Sequence, residues 1–151
     1  EEPGELQASG PQVMRGYWNR PDATADVMTE DGYFKTGDVA VIQDDGYYRI
    51  VDRIKDMILV SGFNVYPNEI EDVLAGCDGV LEAGVVGVKG DDGNETVKAC
   101  VVREPGATVS EDEIKAFAKE NLASYKCPKV VEFIDELPKS AVGKILRREL
   151  R

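Results

Sequence analysis

The sequence predicts an α+β fold: a small mixed sheet with packed helices over residues 55–151, preceded by a β-rich piece over residues 1–54. Three observations lead there. Asp44-Asp45-Gly46 separates two apolar or aromatic runs, the arrangement of a hairpin turn, because Asp and Gly tolerate positive φ. Pro67-Asn68 opens a stretch whose apolar residues fall at helical spacing, and Ser110-Glu111-Asp112-Glu113 is a capping box before a second such stretch.

Taken along the chain, the first section is rich in turn signals at Ser9-Gly10-Pro11, Glu30-Asp31-Gly32 and Asp44-Asp45-Gly46. Residues 22–28 suit a short helix behind Pro21. Val39–Gln43 and Tyr47–Val51 are expected to pair as the hairpin spanning 39–51. The composition changes at Arg53. Met57–Val60 and Phe63–Tyr66 suggest a second hairpin about Ser61-Gly62. A helix then starts at Pro67, with Ile70, Val73 and Leu74 on one face, acidic residues near its N-terminus, and Gly76 at its end. Leu81–Val88 and Val97–Val102 read as strands around an exposed loop at 89–95. Behind Ser110, the residues Ile114, Phe117, Ala118 and Leu122 make one helical face, and Val130–Ile134 is a last strand.

Eighteen basic against 29 acidic residues give a net charge of −11, which disfavours binding to nucleic acid or to an anionic membrane. Residues 137–151 depart from this, with five basic residues and one acidic. That tail is a cationic patch, or simply a solvated helix face. The longest apolar runs are too short to span a bilayer, and no charged-then-apolar leader opens the chain. Its first residues read as the middle of a fold. Histidine is absent, which removes Ser-His-Asp and Cys-His catalysis and argues against a zinc site. Cys77, Cys100 and Cys127 are widely spaced, which suits a reduced, cytoplasmic protein.

Four short motifs could carry chemistry. Thr36-Gly37-Asp38 is expected in a loop before a strand, where a carboxylate could accept hydrogen bonds from a vicinal diol, or could merely form a turn. Arg53-Ile54-Lys55-Asp56 offers a guanidinium fork for phosphate or ribose oxygens and a polar hinge, with a surface salt-bridge cluster as the plainer reading. In Val60–Pro67, Gly62 could let a ligand approach the backbone, or serve only the turn. Pro138-Lys139-Ser140-Ala141-Val142-Gly143-Lys144 lacks the spacing of a P-loop, yet Lys144 on a Gly-containing loop can deliver a full positive charge to a phosphoryl group.

In this order, Tyr33–Asp38, Arg53–Asp56, Val60–Glu71 and Pro138–Lys144 resemble the acyl-activating, AMP-forming synthetase superfamily, and Gly10–Trp18 with Asp52–Glu71 resemble its bacterial long-chain fatty-acid–CoA ligases. The resemblance implies that residues 1–54 end a large adenylation domain and that 55–151 form its small C-terminal lid, with Lys55 as hinge. It implies ATP, CoA and a fatty acid as small-molecule substrates. Magnesium is implied too, its ligands lying upstream together with the ATP loop and the acyl pocket. Asp38 and Arg53 then resemble nucleotide-binding residues, and Lys144 the lysine that enters the site during adenylation. Ser61, Gly62 and Phe63 would line the thiol passage, and Lys126 and Lys129 would meet the CoA phosphates, although Cys127 stands where some relatives place arginine. The chain alone is expected to be inactive. Peripheral membrane association of the parent is compatible with this picture, and the oligomeric state is open. Two alternatives stand beside it. One is a ligase that loads a carrier protein, and the other a non-catalytic α+β module that binds a nucleotide or partner.

Overall fold

The computed structural model describes residues 2–90 and 93–151. The aspartates of the loop expected at 89–95, Asp91 and Asp92, lie outside the described residues, as does Glu1. The chain divides into two compact units, one ending at Lys55 and the other spanning Asp56–Arg151. Together they hold three α-helices and three small sheets among the described residues, an α+β fold.

The first unit contains strand β1 (Gly4–Ala8), helix α1 (Pro21–Val27), and strands β2 (Phe34–Ile42) and β3 (Tyr48–Arg53), in an antiparallel sheet of order β1-β2-β3. Pro21 sits in the first turn of α1, where its missing N–H costs nothing. The hairpin falls at the expected turn. Gln43 N donates to Tyr47 O at 2.8 Å and Gly46 N to Gln43 O at 2.9 Å. Strand β2 starts five residues before Val39, so Thr36-Gly37-Asp38 lies inside the strand and not in a loop before it. Strand β1 alternates Leu6 and Ala8 with Glu5 and Gln7, but Leu6 is its one sizeable apolar residue, too weak a signal to announce it; pairing with β2 creates it.

The second unit opens with the hairpin of β4 (Ile58–Val60) and β5 (Phe63–Val65), whose two-residue turn has both Ser61 (φ 50) and Gly62 (φ 87) in the left-handed region. Helix α2 (Pro67–Leu74) follows, burying Ile70 and Leu74 completely. Strands β6 (Val80–Lys89) and β7 (Glu95–Arg103) pair antiparallel, and β8 (Val130–Phe133) joins β7 in parallel, so the sheet is mixed. Helix α3 (Glu111–Asn121) lies between β7 and β8 in sequence. Its capping box is complete: Glu113 N donates to Ser110 Oγ at 3.3 Å, and Ser110 N donates back to Glu113 Oε2 at 2.8 Å.

This sheet is buried on both faces, and strand periodicity explains how. Val85, Val97, Ala99 and Val101 face the main core with Ile70, Leu74, Ile114 and Ala118 from the helices and Ile58, Val60 and Val65 from the hairpin. The alternate residues Val86, Cys100 and Val102 face the other way, and there the C-terminal tail covers them with Leu137, Ile145 and Leu150. Gly84 makes room for that cover, since a Cβ on it would stand 2.7 Å from Leu150 Cδ1 and 2.9 Å from Leu137 Cδ2. The tail is therefore no solvated helix. Its only helical turn is the 3₁₀ segment Arg147–Glu149. The three cysteines are free, and burial pushes each thiol up from its ordinary pKa.

Candidate functional site

The candidate residues fall into one group in the first unit and two in the second. In the first unit, Asp38 and Arg53 are direct cross-strand partners of β2 and β3. Arg53 Nε stands 3.0 Å from Asp38 Oδ1. The motif Thr36-Gly37-Asp38 earns its residue types locally: Thr36 Oγ1 donates to Leu6 O at 2.7 Å and accepts from Asp38 N at 3.1 Å. An acid and a guanidinium held side by side on a half-open strand pair can together meet a diol and a neighbouring anionic oxygen. Lys55 is exposed, at the centre of the 3₁₀ turn Ile54–Asp56 where the two units meet along the chain.

In the second unit, the hairpin tip Ser61-Gly62-Phe63 is exposed, and Phe63 stacks on Tyr125 with ring centroids 4.6 Å apart. The turn conformation accounts for Gly62, because a Cβ there would meet nothing within 4 Å. Tyr125 belongs to the 3₁₀ turn Ser124–Lys126, so the aromatic contact brings the two sequence-distant CoA candidates onto one surface. Lys126 is already engaged. Its Nζ donates to both carboxylate oxygens of Glu69 at 2.6 and 2.7 Å, and its side chain is mostly buried. Lys129 is exposed.

The Lys144 loop is a hairpin of its own, a geometry not foreseen from its sequence. Gly143 N donates to Ser140 O at 2.9 Å and Ser140 N to Lys144 O at 2.8 Å, leaving a three-residue turn, Ala141-Val142-Gly143. Gly143 takes φ 80, the left-handed position that such a turn demands. Lys139 and Ile145 pair below the turn, and Leu146 N donates to Pro138 O at 2.8 Å. Lys144 is exposed at the end of this stem, so its amine is free to reach a neighbouring group.

Sequence reasoning missed what holds the stem down. Arg147 is mostly buried, with Nη2 donating to Asn68 Oδ1 at 2.7 Å and to Glu71 Oε2 at 2.8 Å, while Nη1 lies 3.9 Å from Asp56 Oδ2. Lys98 Nζ donates to Leu150 O at 3.0 Å and pairs with Glu132 at 2.6 Å; the Glu132 hydrogen bond raises the Lys98 pKa. The one available signal was the double arginine Arg147-Arg148, of which nothing in the sequence says which member is buried.

The chain matches the AMP-binding enzyme C-terminal domain over residues 69–144, about half of its length. It is 59% identical over 149 residues to a long-chain-fatty-acid–CoA ligase of Yersinia pestis and 58% identical over 150 residues to that of Salmonella typhimurium, in each case across 99% of this chain and 26% of the relative. It thus spans about a quarter of the length of these curated relatives. Among solved structures, ATP-bound MatB from Rhodopseudomonas palustris superposes with a TM-score of 0.94 at 41% identity, across 99% of this chain and 30% of that one.

Proposed function

This chain belongs to the AMP-binding enzyme C-terminal domain family, and from that premise we propose that it is the C-terminal part of a fatty-acid–CoA ligase. Such an enzyme activates a carboxylate with ATP to an acyl-adenylate and then passes the acyl group to CoA. The observation that carries the reading is the exposed Lys144 at the end of a hydrogen-bonded hairpin stem, in a chain 57–59% identical to long-chain-fatty-acid–CoA ligases.

In this reading, the unit ending near Lys55 closes the large adenylation domain, and the unit from Asp56 onward is the lid that swings about Lys55. During adenylation Lys144 brings its positive charge to the attacking carboxylate and the α-phosphate, stabilising charge as the pyrophosphate leaves. Asp38 accepts from the ribose hydroxyls and Arg53 lies against the nucleotide. Their mutual contact fits that task, because a carboxylate oxygen turned from Arg53 keeps lone pairs for the diol. After the lid turns, the open tip at Gly62 gives passage to the thiol, with Ser61 and Phe63 beside it. Lys126 would have to exchange Glu69 for a CoA phosphate, whereas Lys129 meets one without such a cost.

Among the described residues, no group of three or more His, Cys, Asp or Glu side chains is gathered that could hold a metal ion. No described helix is long and apolar enough to cross a membrane. We place the parent enzyme in the cytoplasm, in keeping with its unpaired cysteines.

The test separates the two half-reactions. In the intact parent, Lys144→Ala should lower ATP–pyrophosphate exchange by about a hundred- to a thousand-fold, while the thiolysis of supplied acyl-adenylate persists. Equal loss in both steps would reject the assignment. Residues 1–151 alone should show no exchange.

A further inference from the structure

From the burial of Arg147 three residues beyond Lys144, we infer that Arg147 is a positioning residue for the Lys144 loop, an inference that rests on the adenylation reading of Lys144. Arg147 Nη2 bonds both Asn68 and Glu71 on α2, and Nη1 faces Asp56, the residue directly after the candidate hinge Lys55. Glu71 is itself fixed, because its other oxygen accepts from Val85 N at 2.8 Å in the edge strand β6. A chain of polar contacts therefore runs from the sheet, through Glu71, to the guanidinium and into the stem of the Lys144 hairpin. The adjacent Arg148 provides the contrast, being exposed and 3.7 Å from its own neighbour Glu149.

Stability alone is a poor explanation for this arrangement. Burying ionic groups is often no better than packing apolar ones of the same volume. Here the cost is higher still, because Arg147 Nε is buried without a hydrogen-bond acceptor. What a planar fork supplies, and an apolar side chain does not, is direction: two acceptors on one helix fix where the chain leaves the stem. Leu150 and Leu137 press the same stem onto Gly84 from the apolar side, and Lys98 and Lys139 tie it to the sheet through Leu150 O and Glu82. The Arg147 contacts add its register against α2. An amine displaced by about 1 Å from its phosphoryl target can lose on the order of a hundredfold in rate, so register is what adenylation would feel.

The experiment is a double-mutant cycle in the intact parent, with Arg147→Met, Lys144→Ala and both together, each assayed in the two half-reactions and by thermal melting. Arg147→Met should lower pyrophosphate exchange by about tenfold or more, with the loss confined to that step. Added to Lys144→Ala it should cost nothing further, since it acts through a side chain already removed. Arg147→Lys, which keeps the charge but lacks the second nitrogen that faces Asp56, should restore part of the rate. If Arg147→Met is harmless while Lys144→Ala cripples exchange, or if the two losses multiply, Arg147 is only structural and the inference falls alone. If Lys144→Ala leaves exchange intact, the reading of Lys144 falls and takes this inference with it. Should Arg147→Met not fold, Asn68→Ala removes a single acceptor and decides by the same criteria: a smaller exchange loss absorbed by Lys144→Ala supports positioning, and no loss or a multiplying one overturns it.

Discussion

The turn at Asp44–Gly46 and the turn at Ala141–Gly143 are built alike. In each, three residues bridge a hydrogen-bonded pair, the last is a glycine in the left-handed region (φ 85 and φ 80), and its N–H closes onto the residue before the turn. What lies below them differs. The first crowns strands whose outer residues Ile42, Tyr48 and Ile50 are exposed, with Tyr47 beside the turn 72% exposed. The second stands on a stem tied to α2 by Arg147, to β7 by the bond from Lys98 to Leu150 O, and to Gly84 by a Leu150 that is 6% exposed. A hairpin turn thus closes with its own hydrogen bonds anywhere, whereas the aim of its tip depends on ties made far away in sequence. On the role proposed for Lys144, that foundation is what would aim its charge.

Leu150→Ala sharpens this contrast most. It removes the apolar foot of one stem and should cost about 2 kcal/mol or more, whereas Tyr47→Ala beside the other turn should stay within about 0.5 kcal/mol. Urea unfolding of the two variants measures both, and comparable losses would break the contrast. Next come the turns themselves. Gly46→Ala and Gly143→Ala each force a side chain into the left-handed region, for roughly 1–2 kcal/mol, and should cost the same because that strain is local. A much larger loss at Gly143 would show that its turn, and not only its stem, is held by the rest of the fold.

The smallest expected effect is one of pH. The pKa of Lys98 is raised by its hydrogen bond to Glu132, so that pair contributes fully below the ordinary value of 10.5 and is lost as pH rises through the higher folded value. Thermal melting of wild type and Lys98→Met should therefore converge as the pH climbs past that range. A difference that persisted unchanged would mean that the Lys98–Glu132 pair adds nothing to stability.

Much of the fold was legible because its causes are local. Asp44-Asp45-Gly46 and Ser61-Gly62 announce their turns by residue type, and Ser110 with Glu113 caps α3 by a bond three residues long. Ile70 and Leu74 mark the buried face of α2 by spacing alone. Strand β1 stayed hidden because Gly4–Ala8 offers a single sizeable apolar residue, Leu6, and becomes a strand through its partner. Of the candidate site, motif order picked out Asp38, Arg53 and Lys144 but could not say that the first two would touch, nor that Phe63 would stack on Tyr125 across more than sixty residues.

By itself, then, the sequence determined the turns, the caps, the helical faces and the order of the chemical motifs, since each depends on residues within one turn or one strand pair. The tertiary structure alone decided that the tail covers the second face of the sheet, and that Arg147 and not Arg148 turns inward to meet Asp56, Asn68 and Glu71. No local period encodes such choices. They follow from which buried acceptors the folded sheet and helix leave within reach of a guanidinium that arrives at the very end of the chain.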